Sequence, residues 1–237
     1  MRAKKSIIAS FTNASLKALI KGRDLIQRNL LYRRDPAHLH QISVTTGMNR
    51  YPWLFETVQK RLEGVDRAKI LSFGCSTGEE VFSLRKYFAD ADIHGTDINW
   101  ANIRHAQAAS THEGNHFFAY SQARLEHAGP FHAIFCLAVL QRFPSGHKGS
   151  PSLRTIYPFE KFDRQLTLLD KVLIPGGVLV VYHTNYRFID AAISANYDCL
   201  AVSDPGFFEE PRKYDINSDL LESESYLDAI FIKRLSD

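Results

Sequence analysis

Ile70-Leu71-Ser72-Phe73-Gly74-Cys75-Ser76-Thr77-Gly78-Glu79-Glu80 is the stretch on which the fold turns. A mostly apolar run meets a glycine, small residues lead to a second glycine, and two glutamates open a helical stretch. The order implied is strand, sharp turn, helix. Gly74 stands where the chain must bend on leaving the strand, and Gly78 lets the backbone approach a ligand closely at the helix start. The two glutamates suit the positive end of a helix. They also repel a pyrophosphate there. The glycine spacing is GxxxG, whereas a dinucleotide fingerprint reads GxGxxG and a triphosphate loop needs Gly-Lys-Ser/Thr.

Outward from this loop, short apolar runs alternate with amphipathic stretches, the pattern of βαβ units on a parallel sheet. Strands are expected at 68–73, 92–96, 115–120, 131–137, 178–183, 197–202 and 226–234. Helices are expected from Gly78 to about Phe88, at 101–110 and at 159–172, the last ended by Pro175-Gly176-Gly177. The fifth strand is almost wholly aliphatic, so it is buried on both faces. Before the loop, Pro52 to Glu63 reads as a helix with Trp53, Leu54, Val58 and Leu62 on one face. Residues 6–31 suit one or two further helices, closed near Asp35-Pro36 because proline cannot continue them. The organisation expected is a helical extension over 1–64 and a seven-stranded, Rossmann-like α/β domain over 65–237.

Asp97 follows the second strand, 23 residues after Gly74. A carboxylate there accepts hydrogen bonds from both hydroxyls of a ribose. A lone aspartate after a strand would be read as a helix or turn cap. Paired with the glycine loop, it points to an adenosyl ligand.

The composition belongs to a globular protein: 237 residues, 45% hydrophobic and 23% charged. Three cysteines, Cys75, Cys136 and Cys199, show no paired spacing, so neither a disulfide framework nor a metal site is expected. A reducing cytoplasm is the compartment implied. No apolar run approaches the roughly 20 residues of a membrane span, and the first residues lack the apolar core of a signal peptide. Residues 1–35 carry nine Lys/Arg and two Asp/Glu (+7), against twenty and twenty-four in the remainder (−4). That basic arm is either the solvated face of a packed helix or a surface for an acidic partner.

At this point the sequence resembles a family. Ile-Leu-Ser-x-Gly-Cys-Ser-Thr-Gly-Glu-Glu, then Gly95-Thr96-Asp97-Ile98, then Phe131-x-x-Ile134-Phe135-Cys136, resembles class I S-adenosylmethionine-dependent methyltransferases, and most closely the CheR-type protein-glutamate methyltransferases. The likeness covers residues 44–183 in patches. Upstream, Thr45-Thr46-Gly47-Met48-Asn49-Arg50 is similar to that family's Thr-x-x-x-Arg segment. The resemblance implies that Thr46 and Arg50 touch the cofactor, with Arg50 near its carboxylate or the methyl-transfer site; a surface arginine beside Tyr51-Pro52 is the other reading. The cofactor set expected is Thr46, Arg50, Gly74, Cys75, Ser76, Gly78, Glu79, Glu80, Asp97, Ile98, Gln122, Cys136 and Leu137, for S-adenosylmethionine and its product S-adenosylhomocysteine. Cys75 and Cys136 would act there as small packing residues rather than nucleophiles. Where the family has Phe-Cys-Arg-Asn-Val and then Tyr-Phe, this chain has Phe135-Cys136-Leu137-Ala138-Val139 and then Arg142-Phe143. The chain is also short for the family's inserted, receptor-engaging β-subdomain. The resemblance therefore implies the cofactor and not the acceptor.

Candidates for the chemistry are His183, Arg50 and Arg142. His183 ends the fifth strand and titrates near neutrality, though a histidine there also serves as a hydrogen-bonded structural residue. Arg142, His147, Lys148, Arg154 and Tyr157 sit in a long loop, 141–158, of the length expected of a functional lid. Phe207, Phe208 and Tyr214 either cover the pocket or close the sheet. A small-molecule acceptor, methylated at oxygen or nitrogen, is the leading expectation. The alternatives are a protein side chain, a non-catalytic module that senses the cofactor, and an NAD-binding oxidoreductase. A nucleic-acid acceptor is disfavoured, since the Asn/Asp-Pro-Pro-Tyr/Phe turn of adenine methylation is absent after the fourth strand.

Overall fold

The computed structural model describes residues 36–41, 46–142, 150–201, 211–222 and 226–235. The expected N-terminal helices, Thr45, Phe143, His147, Lys148, Phe207 and Phe208 lie outside these residues. By contacts, the chain divides into Met1–Leu39 and a second compact unit, His40–Asp237. The account below concerns the second.

Helix α1 (Pro52–Arg61) opens with proline in its first turn, where the missing N–H costs nothing. It buries Leu54, Phe55 and Val58. There follow β1 (Lys69–Phe73), α2 (Glu79–Tyr87), β2 (Asp92–Asp97), α3 (Trp100–Ala109), β3 (Asn115–Ala119), α4 (Gln122–Ala128), β4 (Phe131–Leu137), α5 (Phe159–Lys171), β5 (Leu173–Tyr182), β6 (Tyr197–Leu200) and β7 (Ile230–Lys233). The strands form one sheet in the order β3-β2-β1-β4-β5-β7-β6. The first five are parallel, and β7 runs antiparallel between β5 and β6. A seven-stranded sheet with a late antiparallel insertion is the Rossmann-like, class I methyltransferase arrangement.

Alternation along the central strands divides the core into two layers. Ile70, Ala133, Phe135, Val178 and Val180 pack with Leu54, Phe55 and Val58 of α1, Val81 and Leu84 of α2 and Ile103 of α3. Leu71, Ile134, Cys136, Leu179 and Val181 pack with Leu125 of α4 and Phe162, Leu166 and Leu169 of α5. Helices therefore cover both faces. α1 packs in the first layer, inside the compact unit that begins at His40.

Several boundaries differ from those expected. β5 does not begin after Pro175-Gly176-Gly177 but runs through it from Leu173, which pairs with Phe131 across a register shift. Gly176, at φ +76°, absorbs the irregularity. Helix α4 was not expected; Ser121 caps it by accepting from the Arg124 N–H, and it buries only Leu125. β7 starts at Ile230 rather than Tyr226, and β5 ends at Tyr182, leaving His183 outside the strand at φ +56°.

Candidate functional site

The parallel order reverses between β1 and β4, and in such sheets ligands bind beyond the carboxyl ends of the strands at that switch point. The chain leaves β1 at Gly74 (φ +79°) and enters α2 from Gly78 (φ +100°). Both N–H groups of Gly74 and Cys75 donate to Thr96 O, at 2.8 and 2.9 Å, so the loop is fastened to the end of β2. A β-carbon on Gly74 would collide with Val139, in the turn after β4. A β-carbon on Gly78 would come within 2.9 Å of Phe82 and 3.0 Å of Ala106. Packing, as well as backbone freedom, thus requires glycine at both.

Asp97 meets this loop directly. Its Oδ2 accepts from the Ser76 N–H at 2.9 Å and its Oδ1 from the Asn99 N–H at 2.7 Å. A carboxylate has about four lone-pair sites, so half remain for other donors. Burial pushes Asp97 up to about 6, against the opposing pull of the two N–H groups. Ser76, at φ +50°, carries a buried Oγ with no hydrogen-bond partner.

The two glutamates of the loop differ sharply. Glu79 accepts from Thr77 Oγ1 at 2.7 Å at the helix start. Glu80 turns under the loop and accepts from Ser72 Oγ at 2.7 Å. Burial raises it to about 8, with the Ser72 hydroxyl and the Arg50 guanidinium opposing the rise. Arg50 arrives through the segment preceding α1: the Asn49 N–H donates to Ser83 Oγ at 2.7 Å, and Tyr87 donates to Asn49 Oδ1 at 2.8 Å. That segment is thereby docked on α2, with Arg50 over the ring of Tyr51. Thr46 is half-buried at its start.

His183 is 5% exposed. Its ring stacks on Tyr182 at 4.3 Å, and its Nδ1 lies 3.3 Å from the hydroxyl of Tyr51. Burial raises the Tyr51 phenol well above its usual range, so it stays protonated. Neither Tyr51 nor Gln141, in the turn after β4, stood out in the sequence. The signal for Tyr51 was its place directly after Arg50 and before the helix-opening Pro52.

The remaining expected residues are distributed around this centre. Ile98 is half-buried beside Asp97. Cys75 and Cys136 are buried, and burial raises both thiols well above their ordinary range, which suits packing rather than attack. Cys136 and Leu137 point into opposite core layers. Gln122 is on the exposed face of α4, where its Nε2 donates to Glu126 at 2.8 Å. Arg142 is buried, its backbone N–H donates to Asn185 Oδ1, and its charge acts on the Tyr157 phenol. In the expected lid, Arg154 is exposed and donates to Asn217 O, whereas Tyr157 is buried with its hydroxyl 3.0 Å from His40 Nδ1. Tyr214 is buried and donates to Ser150 O at 3.0 Å. Among the described residues no group of three or more His, Cys, Asp or Glu is arranged to hold a metal ion, and no helix is long and apolar enough to cross a membrane.

No protein-family model matches the chain. No curated protein matches it either. Among solved structures it is similar to PKMT2 from Rickettsia typhi, at 22% identity and TM-score 0.42 over 58% of this chain and 26% of that one. It is also similar to SAM-bound CalS10, an amino pentose methyltransferase from Micromonospora echinaspora, at 19% identity and TM-score 0.41 over 65% and 58%. For the bifunctional kinase-methyltransferase WbdD the values are 16% and 0.48 over 87% of this chain and 46% of that one. The chain thus spans from about a quarter to under three fifths of the length of these structures. The likeness is one of fold.

Proposed function

We propose that the chain is an S-adenosylmethionine-dependent methyltransferase acting on a small-molecule acceptor at oxygen or nitrogen. The observation that carries this reading is the bond from the Ser76 N–H to Asp97 Oδ2, which joins the glycine loop and the expected ribose ligand at the switch point. The residues fit the cofactor: the buried Ser76 Oγ lacks a partner, and Asp97 has lone pairs to spare. Asp97 would hold the ribose hydroxyls. Glu80 would take the ammonium of the methionine moiety and Arg50 its carboxylate.

When bound, the cofactor would supply a methyl group made electrophilic by its sulfonium, to be taken by the acceptor's lone pair as the S–C electron pair returned to sulfur and the acceptor gave up a proton. The chain's own task is to aim that lone pair and exclude water. His183, held by Tyr51 and Tyr182, is the base for an acceptor that arrives protonated. Arg142 steadies the turn after β4 through Asn185.

A second reading is carboxyl methylation of a protein, of the CheR type. The docking of the Thr46–Arg50 segment on α2 through Asn49 favours it; the absent Arg-Asn pair after β4 stands against it. For the cofactor, calorimetric titration with S-adenosylmethionine and S-adenosylhomocysteine on the parent and on Asp97→Ala is the test. Loss of the ribose contacts is expected to weaken binding by about 2–3 kcal/mol, roughly 30- to 160-fold. Unchanged affinity takes Asp97 out of the site.

A further inference from the structure

Two buried side-chain atoms without hydrogen-bond partners flank the switch point, one on each side. Ser76 Oγ belongs to the loop after β1, and Gln141 Oε1 to the turn after β4. A hydroxyl can donate or accept. An amide oxygen can only accept.

Gln141 is 4% exposed. Its Nε2 donates to Ala138 O at 3.1 Å, and its backbone N–H donates to Val139 O at 2.9 Å. The side-chain amide cannot be turned over, because that would set Oε1 against the Ala138 carbonyl and leave an NH2 stranded instead. The unpartnered atom is therefore specifically an acceptor. The turn that carries it is fixed on both sides: Val139 fills the space beside Gly74, and the Ala138 N–H donates to Tyr182 O at 2.9 Å. Ala138 (φ +58°) and His183 (φ +56°), at the ends of β4 and β5, both hold the left-handed conformation that non-glycine residues rarely adopt. A methionine or leucine would fill this position without stranding an acceptor. A polar atom kept there, at the carboxyl edge of a doubly wound sheet, is what a recognition residue requires.

We propose that Gln141 reads the methyl acceptor, and that the acceptor offers it an N–H or O–H: an amine or a hydroxyl compound rather than a carboxylate. The inference rests on the methyltransferase reading above and narrows it. An ionised carboxylate has no donor and would press a further acceptor against Oε1. An amine or alcohol satisfies Oε1 with one hydrogen, which orients the lone pair that receives the methyl group.

The test uses the full chain, S-adenosylmethionine with a labelled methyl group, and a panel of primary amines, phenols, alcohols and carboxylic acids. Transfer to an N–H or O–H member is expected, with none to the carboxylic acids. Gln141→Met should lower kcat/KM for that acceptor tenfold or more, about 1.4 kcal/mol, while S-adenosylhomocysteine affinity stays within about twofold. It should melt no lower than the parent, since it removes a stranded acceptor as well as a hydrogen bond. Methylation of carboxylic acids alone, no donor-bearing acceptor at all, unchanged turnover in Gln141→Met, or a lower melting point overturns the proposal. A parallel loss of S-adenosylhomocysteine affinity also overturns it, by moving Gln141 to the cofactor. Failure of the parent to bind either nucleoside is a separate result, because it removes the methyltransferase reading itself.

Discussion

If Glu80 receives the ammonium of the cofactor, binding must release a proton. Free of ligand, Glu80 is held near 8 by burial, so at pH 6.5 it carries most of a proton. An adjacent ammonium favours the carboxylate and drives that proton out. Asp97, near 6, is about one quarter protonated at the same pH and adds up to that fraction if ribose hydroxyls bond to it. The ligand's own amine, with an ordinary value of about 7.7–8.0, is almost fully charged at pH 6.5 and takes up little. About one proton should therefore leave per cofactor bound at pH 6.5, and affinity should rise close to tenfold per pH unit up to about pH 7, the rise fading towards pH 8 as Glu80 and the ligand's amine both lose their protons. The assay is titration calorimetry at pH 6.5 in buffers of different ionisation enthalpy; the slope of observed heat against buffer heat counts the protons. Glu80→Gln should leave only the fraction from Asp97. A slope near zero in the parent, or an equal slope in Glu80→Gln, refutes the reasoning.

The same group governs stability without ligand. Unfolded, Glu80 ionises above its ordinary 4.5, and folded only near 8, so the folded state holds the extra proton between these values and loses stability as pH rises through them. Melting temperatures at pH 5.5 and 8 should show this decline, and Glu80→Gln should flatten it. His94 has the opposite sign. Burial, then the neighbouring His116 and Lys69, lower it to about 4, with Asp92 opposing; stability should fall as pH drops from about 6.5 towards 4, and His94→Gln should abolish that component in acid melts. Gly74→Ala should cost about 1–2 kcal/mol from its φ of +79° alone. Displacement of Val139 adds to this cost, and a melting point unchanged from the parent contradicts it.

Much of this fold is written in local patterns. β4 occupies the residues expected, because Phe131–Leu137 is an apolar run, broken only by His132, with clear ends. α4 escaped notice because seven residues with one buried leucine give no helical period; its signal is the capping Ser121. The start of β5 is hidden in the sequence because Pro175-Gly176-Gly177 has the composition of an ending, whereas β4 supplies a partner for Leu173 that only the sheet reveals. At the site, the loop and Asp97 were legible from spacing. Which of two adjacent glutamates turns inward was not, since that depends on Ser72 standing opposite Glu80 across the loop. Gln141 looked like any polar turn residue, because stranded atoms appear only when the surrounding chain is in place.

The placement of β7 bears on how the protein is made. Among the described residues, β6 joins the sheet only through β7, which follows it by some thirty residues and lies between it and β5. During synthesis, residues 197–200 therefore emerge before their partner strand, and the outer edge of β5 stays unpaired until residues 230–233 have left the ribosome. A stop before Ile230 would strip two strands from the sheet instead of one, exposing a long parallel edge to other chains.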